Sequence, residues 1–392
     1  MNRGAYRGVW AVGAARRVLI LGTLIRIPLW AGNVVLTLHL VGHLHRSYAE
    51  AGLVVTAATV ALAVSGPWRG RRVDRVGVRR AVTPCLAVLA ACWAIAPFTG
   101  YAALMALAFL AGLFAVPVFS VVRQALMCAV PSDRRRAALS VDSVLVEISF
   151  MIGPALGVLL ATTLPTPWAL FICEFASIAG GIALWALDPP VTAEVVVADA
   201  GQIAEAFRSR QIVGVLVVSA ATVLVLTGTE VSTVAALRDW RQGPWIGAEL
   251  AVWGLGSALG GLVYGTLHRP IPVAVLLAAL GAVTLPIAAA PGPLTLGAAL
   301  FVAGSCCAPT ITATVDTLSQ LVPDHARGEA LGWHGSAMTA GGALGAPLTG
   351  LAIDRSGWEA GFVAPAALGL VVAVALVPLP TLIRRPLRNP TS

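Results

Sequence analysis

Long apolar segments recur along the whole of this chain, and they limit the folds that it can adopt. Runs of twenty or more mainly apolar residues are separated by short turns rich in glycine, proline or arginine. Hydrophobic residues make up 58% of the 392 positions and charged residues only 11%, whereas a soluble domain carries about 25% charged residues. Because about 20 apolar residues suffice to cross a bilayer as a helix, we predict an all-α membrane protein.

The apolar runs and the breakers between them predict twelve transmembrane helices. The predicted spans are residues 17–43, 48–69, 80–98, 101–127, 136–162, 166–187, 212–236, 245–268, 271–291, 293–320, 328–353 and 356–380. The longest polar stretch separates the sixth span from the seventh. We therefore predict an N-terminal six-helix bundle at 1–187, a cytoplasmic linker at 188–211, and a C-terminal six-helix bundle with a short cytoplasmic tail at 212–392.

The positive charges indicate how the chain is oriented. The formal net charge is +8, and the chain has arginines but no lysine. Most of the arginines fall in turns on one predicted side of the membrane. The opposite side shows only Arg46, Arg238, Arg241 and Arg355. Arginine-rich turns mark the cytoplasmic side, so we predict that both termini are cytoplasmic and that nucleic acid is not a partner. The lack of lysine suggests a GC-rich bacterial genome, hence a bacterial inner membrane.

An internal repeat supports two equivalent halves. A shift of 192 residues aligns Pro131–Leu139 with Pro323–Leu331 and places Gly153 on Gly345. These matches fall together on a turn, a helix start and a mid-span glycine, which predicts two parallel six-span repeats. Glycine pairs four residues apart, which allow helices to approach closely, are concentrated in spans 2, 5, 8 and 11.

These features resemble the major facilitator superfamily, over essentially the whole chain. The turn between spans 2 and 3 matches the family's loop signature in full. The matching residues are Gly70, Asp74, Arg75, Gly77, Arg79 and Arg80. The resemblance implies the family's fold, in which twelve transmembrane helices form two pseudo-symmetric six-helix bundles and spans 2, 5, 8 and 11 lie between the halves.

Span 5 points to one branch of that family. Gly153, Pro154 and Gly157 resemble the antiporter motif G-P-x-x-G-G, although Val158 replaces its last glycine. Ala108 stands where many proton-coupled drug exporters carry an arginine. The resemblance is therefore to the bacterial drug or metabolite:proton antiporters, with these two departures from their pattern; in the second half Gly265 replaces the acid of the loop signature.

Asp74 is the predicted centre of a conformational latch. A carboxylate at the cytoplasmic mouth of span 2 can accept hydrogen bonds from the N-terminus of a facing helix, where the dipole favours negative charge. If that helix is span 11, Asp74 holds the cytoplasmic side closed, with Arg123 and Arg75 as candidate counter-charges. The alternative is that the arginine cluster only sets the topology.

Ionisable residues within spans are costly and mark functional sites. Glu147 lies near the membrane midplane and shares a helix face with Pro154, so we predict that it couples protons or binds substrate; the alternative is a neutral packing role. Asp142 is shallower, on another face, and serves gating or structure. Arg26 pairs with a cavity acid or an anionic substrate group, or snorkels to the cytoplasm.

Three further polar positions have open interpretations. His39 and Glu230 occupy equivalent places in the outer thirds of spans 1 and 7, where they either pair in an extracellular gate or lie apart. Asp316 could meet the region of Arg123. Glu174, on span 6, is predicted to be structural.

The pattern as a whole indicates a secondary active transporter. No P-loop, H-E-x-x-H or nucleophile-elbow motif is present, so no enzymatic activity is predicted, and neither a cofactor nor a metal site is expected. We expect a monomer that exports drugs or small amphipathic metabolites in exchange for protons, or another cation, by alternating access. The alternatives are a proton-coupled uptake symporter and a non-transporting receptor or scaffold on the same fold.

Overall fold

The computed structural model describes residues 3–191, 209–267 and 269–376. A short helix, Arg3–Ala11, precedes the spans; we call it the N-terminal helix. Span 1 is Gly13–Leu38 with a π-helical turn His39–His43, spans 2 and 3 form Tyr48–Ile95, span 4 is Tyr101–Leu113 with Val118–Ala129, span 5 is Arg135–Thr163, and span 6 is Thr166–Leu187. Span 7 is Arg210–Asp239 and span 8 is Ile246–Gly265. Span 9 is Val273–Thr284 with the 3₁₀ turn Leu285–Ala289, and span 10 is Pro293–Gly304 with Cys307–Leu321. Span 11 is Arg327–Ser356 and span 12 is Trp358–Leu376.

The described residues contain twelve spans, although only nine of their helical segments are long and apolar enough to cross a membrane when judged by length and composition alone. One of the nine, Glu50–Phe98, contains spans 2 and 3 together. Span 9 is shorter, at Val273–Ala289, and span 11 at Arg327–Ser356 is rich in glycine and polar residues. The predicted fold class is thus confirmed. The boundaries of the two bundles remain a prediction, because most of the predicted linker and the tail after residue 376 lie outside the described residues.

The arginine-rich turn between spans 2 and 3 is shorter than predicted. Helical structure continues from Tyr48 through most of this segment and breaks only at Gly77, whose φ of 78° lies in the left-handed region that glycine tolerates. The prediction of a loop over residues 70–80 was therefore wrong in its extent. The consequence is that Gly70 and Asp74 stand on one rigid helix, four residues apart on the same face.

The 192-residue repeat is visible in the backbone. Span 5 starts at Arg135 and span 11 at Arg327, each after a 3₁₀ turn. The Arg135 Nε donates to the Met127 carbonyl at 3.1 Å, and the Arg327 Nε donates to the Ser319 carbonyl at 3.2 Å. Because 127 and 319 are also 192 apart, the same turn is built twice by the same arginine contact.

The two halves meet along a seam. We call residues up to 191 the N-terminal half, residues from 209 the C-terminal half, and the end formed by the turns at 70–80, 130–136 and 322–327 the Arg-rich face. Among the described residues, every hydrogen bond between the halves lies between the Arg-rich face and the level of Glu147. That level is roughly 18 Å along span 5 from Arg135 at 1.5 Å per residue. The halves are thus joined on the Arg-rich side.

The glycine pairs divide between the seam and the interiors of the halves. Gly66 and Gly70 of span 2 face Gly332 and Gly328 of span 11 across the seam. By contrast, the glycines of span 5 at 153 and 157 pack on span 1, and the equivalent stripe of span 11 packs on span 7. The expectation that all of these pairs mark the interface between halves was therefore only partly right: small residues let a helix approach whichever neighbour lies closest.

Candidate functional site

The predicted contact between Asp74 and span 11 is present. Asp74 Oδ1 accepts from the backbone N–H of Gly328, and Oδ2 accepts from that of Glu329, both at 2.8 Å. These amides belong to the first turn of span 11, where no intrahelical acceptor is available and the helix dipole favours an anion. The Asp74 carboxylate therefore joins the two halves at the Arg-rich face.

Glycine makes this approach possible. A Cβ built on Gly70 would lie 1.9 Å from the carbonyl oxygen of Gly328, and one on Gly328 would lie 2.3 Å from Asp74 Oδ1. Neither position can carry a side chain unless the two spans separate. The Arg71 guanidinium reinforces the crossing with two bonds to the Glu329 carboxylate, the Nε–Oε2 distance being 2.8 Å.

Arg79 fixes the turn within its own half. Its guanidinium donates to the carbonyls of Trp185 and Ala186, at 3.3 and 3.1 Å, and lies 3.3 Å from Asp188. These groups form the C-terminus of span 6, where a cation is favoured. Arg75 and Arg80 are exposed.

The predicted counter-charges of Asp74 were wrong. Arg123 pairs with Asp142, at 3.3 Å between Nε and Oδ2, and Arg75 has no ion-pair partner among the described residues. The physical reason is that backbone amides of span 11 already satisfy both oxygens of Asp74. Arg123 points instead into the packing between spans 4 and 5.

Arg26, Arg123 and Asp142 form a buried charge triad, one residue each from spans 1, 4 and 5. Arg26 Nη1 lies 2.7 Å from Asp142 Oδ1, and the exposed fractions of these two side chains are 1% and 0%. Arg26 therefore pairs with an acid rather than snorkelling to the surface. Since arginine stays protonated in proteins, the triad carries one excess positive charge.

Glu147 lies in the seam itself. Ser257 Oγ of span 8 donates to Glu147 Oε1 at 2.9 Å. Four residues nearer the Arg-rich face, the hydroxyl groups of Ser143 and Thr312 form a second bond between the halves, at 2.9 Å. Glu147 is thus a membrane-embedded carboxyl whose partner comes from the other half and is uncharged.

An apolar plug closes the seam between this level and the Arg-rich face. Met127, Leu139, Val315 and Leu331 form one buried cluster, with one side chain each from spans 4, 5, 10 and 11. Leu139 and Leu331 are equivalent under the 192-residue shift. The plug thus lies between Glu147 and the Arg-rich face.

Of the two arrangements predicted for His39 and Glu230, the pairing is not formed. The Nδ1 atom of His39 lies 3.0 Å from Thr166 Oγ1 of span 6, and the ring stacks on His43. The π-helical turn at the end of span 1 directs His39 into its own half. Glu230 is half-buried and has no hydrogen bond or ion pair to His39 within the described ranges.

Asp316 also has a different partner from the predicted one. Its Oδ2 lies 3.6 Å from Arg136 Nε at the start of span 5, and its Oδ1 accepts from Gln320 at 3.0 Å. Asp316 therefore joins spans 10 and 5 near the Arg-rich face and does not meet Arg123. Glu174 packs against Gly32 of span 1, where an added Cβ would lie 2.5 Å from its carboxylate; its structural role stays a prediction.

The antiporter-like residues of span 5 pack against span 1. A Cβ on Gly153 would lie 2.5 Å from Trp30 Cβ, and one on Gly157 would lie 2.6 Å from the Ala31 carbonyl oxygen. Together with Pro154, which lies inside the helix, they set the close contact of span 5 with span 1. Their coupling role remains a prediction.

Sequence reasoning missed several members of the seam. Tyr6 of the N-terminal helix donates to the Leu262 carbonyl in span 8, and His334 of span 11 bonds Thr314 at 2.9 Å. A signal for His334 existed, because the 192-residue shift places it on Asp142. Ser257 and Tyr6 carried no comparable signal. No group of three or more His, Cys, Asp or Glu side chains suited to a metal occurs among the described residues.

The fold and the seam define the class of protein: a helical membrane protein built from two six-helix halves that meet at a polar seam. The sequence profile of the Major Facilitator Superfamily matches residues 18–291 and 244–391. The chain belongs to this superfamily. A comparison with curated proteins gives no match.

Solved structures show the same fold at low sequence identity. A bacterial homologue of the iron transporter ferroportin, in an outward-facing state, superposes with a TM-score of 0.76 at 13% identity, covering 93% of this chain and 99% of that one. The human organic anion transporter MFSD10 gives 0.69 at 17% identity, covering 95% and 99%. The E. coli fucose:proton symporter FucP gives 0.70 at 15% identity, covering 91% and 97%.

Proposed function

We propose that this chain is a proton-coupled exporter of small amphipathic molecules in a bacterial inner membrane, working as a monomer. In this proposal residues 1–187 and 212–392 form two bundles that rock about the seam, the Arg-rich face is cytoplasmic, and both termini lie on that side. The Asp74 crossing is the latch that holds the cytoplasmic side closed.

The position of Glu147 carries the proposal. A carboxyl buried in the membrane can take up and release a proton when its surroundings change. Its partner Ser257 belongs to the other half, so separation of spans 5 and 8 breaks the contact and exposes the carboxyl. Proton exchange is thereby linked to the change of access, as coupled transport requires.

The superfamily also contains carriers that run in the opposite direction, and FucP is a fucose:proton symporter. Export is favoured here by the antiporter-like residues Gly153, Pro154 and Gly157 of span 5. An acid in the seam serves either direction, so direction has to be measured.

We expect Glu147→Gln to remove gradient-driven transport without unfolding the protein, because an amide keeps the shape and still accepts from Ser257. The full chain in proteoliposomes would be given a proton gradient, and movement of carboxyfluorescein and rhodamine 6G would be followed in both directions. These dyes share a xanthene body and differ in charge. Transport by the variant should fall to the level of protein-free liposomes.

Glu174→Gln is the matched control, since it also removes a half-buried carboxyl from a span but lies outside the seam contacts. It should transport like the unmodified protein. Unchanged gradient-driven transport in Glu147→Gln would exclude Glu147 as the proton carrier. Dye movement only in the uptake direction would show that the protein is an importer and not an exporter.

A further inference from the structure

The charge triad has more hydrogen-bond donors than acceptors. Both oxygens of Asp142 are occupied, Oδ1 by Arg26 and Oδ2 by Arg123. The Nε and Nη2 atoms of Arg26 are buried and have no hydrogen-bond partner among the described residues. A buried charged donor without an acceptor is destabilising, so this arrangement is costly unless another group supplies the acceptor.

A third unpartnered donor lies on the same face of span 1. Trp30 is four residues from Arg26, one turn further from the Arg-rich face. Its indole Nε1 is also buried, with no hydrogen-bond partner within residues 3–191, 209–267 and 269–376. We call Arg26, Arg123 and Trp30 the donor cluster. With its counter-ion Asp142 the cluster carries one excess positive charge, and three of its buried N–H-bearing atoms lack an acceptor in the part of the chain that the structure describes.

Arg123 is the member of the donor cluster that lies beside the other half. Arg123 keeps 8% of its side chain exposed and is within electrostatic range of His334 of span 11. The ring of Phe119 is half-buried, and its centroid lies 4.7 Å from the guanidinium carbon of Arg26 and 6.0 Å from that of Arg123. An aromatic ring therefore covers both guanidinium groups, beside the seam that the proposed cycle opens.

We propose that the donor cluster binds the acidic group of the substrate, which makes the transported molecules amphipathic organic anions. This inference rests on the proposed transport function and specifies its substrate class. A carboxylate, sulfonate or phosphate supplies the acceptors that Arg26 and Trp30 lack and neutralises the excess charge. The apolar body of the substrate packs against Phe119 and Trp30.

Arg26→Gln separates this role from a structural one. Removal of Arg26 leaves Arg123 and Asp142 as a neutral buried pair, so the variant is expected to fold; a thermal melt of the purified protein checks this. Arg26→Lys keeps the charge but loses the forked donor geometry, and should retain part of the binding. Arg355→Gln, an exposed arginine far from the cluster, is the matched control.

The test is a fluorescence-anisotropy titration of the purified full chain with carboxyfluorescein and, separately, rhodamine 6G. We expect the protein to bind the anionic dye, and Arg26→Gln to weaken that binding roughly 10- to 100-fold, the range for losing hydrogen bonds to a charged group. Arg355→Gln should bind as the unmodified protein does. Equal affinity in Arg26→Gln, preference for the cationic dye, or binding of neither dye overturns the proposal.

The two proposals fail in different ways. Arg26-dependent binding of the anion without gradient-driven transport would retain the anion site and reject the exporter. Gradient-driven export of rhodamine 6G that is unaffected by Arg26→Gln would retain the exporter and reject the anion site.

Discussion

Asp142→Asn is expected to lower the free energy of unfolding by about 3–5 kcal/mol, the cost of leaving a buried charge without its partner. The substitution leaves Arg26 and Arg123 facing each other without a counter-charge, in a site where Asp142 is 0% exposed. Neither guanidinium can become neutral by losing a proton. Denaturant unfolding of the purified protein in detergent measures the change.

Two further variants show whether charge is the cause. Arg26→Gln and Arg123→Gln, added together to Asp142→Asn, make the site neutral and should recover most of the lost stability, since neutral replacements of buried ion networks are often tolerated. Asp324→Asn is the control: it breaks the Arg327–Asp324 pair, whose acid is 48% exposed, and should cost less than about 1 kcal/mol. A single Asp142→Asn variant as stable as the unmodified protein would contradict the description of the triad as desolvated.

Gly70→Val and Gly341→Val are expected to have different effects although both introduce a severe collision. The added Cβ would lie 1.9 Å from a carbonyl oxygen of the other half at position 70, and 2.0 Å from the Ala220 carbonyl oxygen at position 341. The halves can separate at the seam, but spans 7 and 11 cannot separate without unfolding their own bundle. Gly70→Val should fold and lose transport, whereas Gly341→Val should lose at least about 1–3 kcal/mol, the usual cost of overpacking.

Gly335→Val is the matched control for this pair, because a Cβ there meets no atom within 4 Å. It should fold and transport normally. Thermal melts and dye transport of the three variants provide the comparison. Equal loss of folding in Gly70→Val and Gly341→Val would contradict the separation of the halves at the seam.

The spans and the repeat could be predicted from sequence because both depend on local patterns. Hydropathy and turn residues gave span 6 at 166–187, which is the observed helix Thr166–Leu187. The 192-residue shift predicted equivalent starts for spans 5 and 11. The breaks inside spans 4 and 10 were missed, because an apolar run looks continuous whether or not its helix is interrupted.

Side-chain pairing could be predicted only where the backbone fixed the partner. Asp74 was assigned to a helix N-terminus, and any such N-terminus presents free amides. Arg123 and Asp316 were assigned wrong partners, and the choice between pairing and separation of His39 and Glu230 stayed open, because pairing between spans depends on how each helix is rotated about its axis. A single chain's sequence shows which residues share a face but not which neighbour that face meets.

The two halves are expected to close at the Arg-rich face and to open there when access changes. Distances between spin labels measure this directly, in protein lacking the six native cysteines. One pair, Asp133→Cys with Pro323→Cys, spans the seam at the Arg-rich face; the other, Leu164→Cys with Gln242→Cys, spans it at the opposite end. Between pH 5 and pH 8, and on adding Gly70→Val, we predict that one distance lengthens as the other shortens. Two distances that stay fixed, or that lengthen together, would contradict the account.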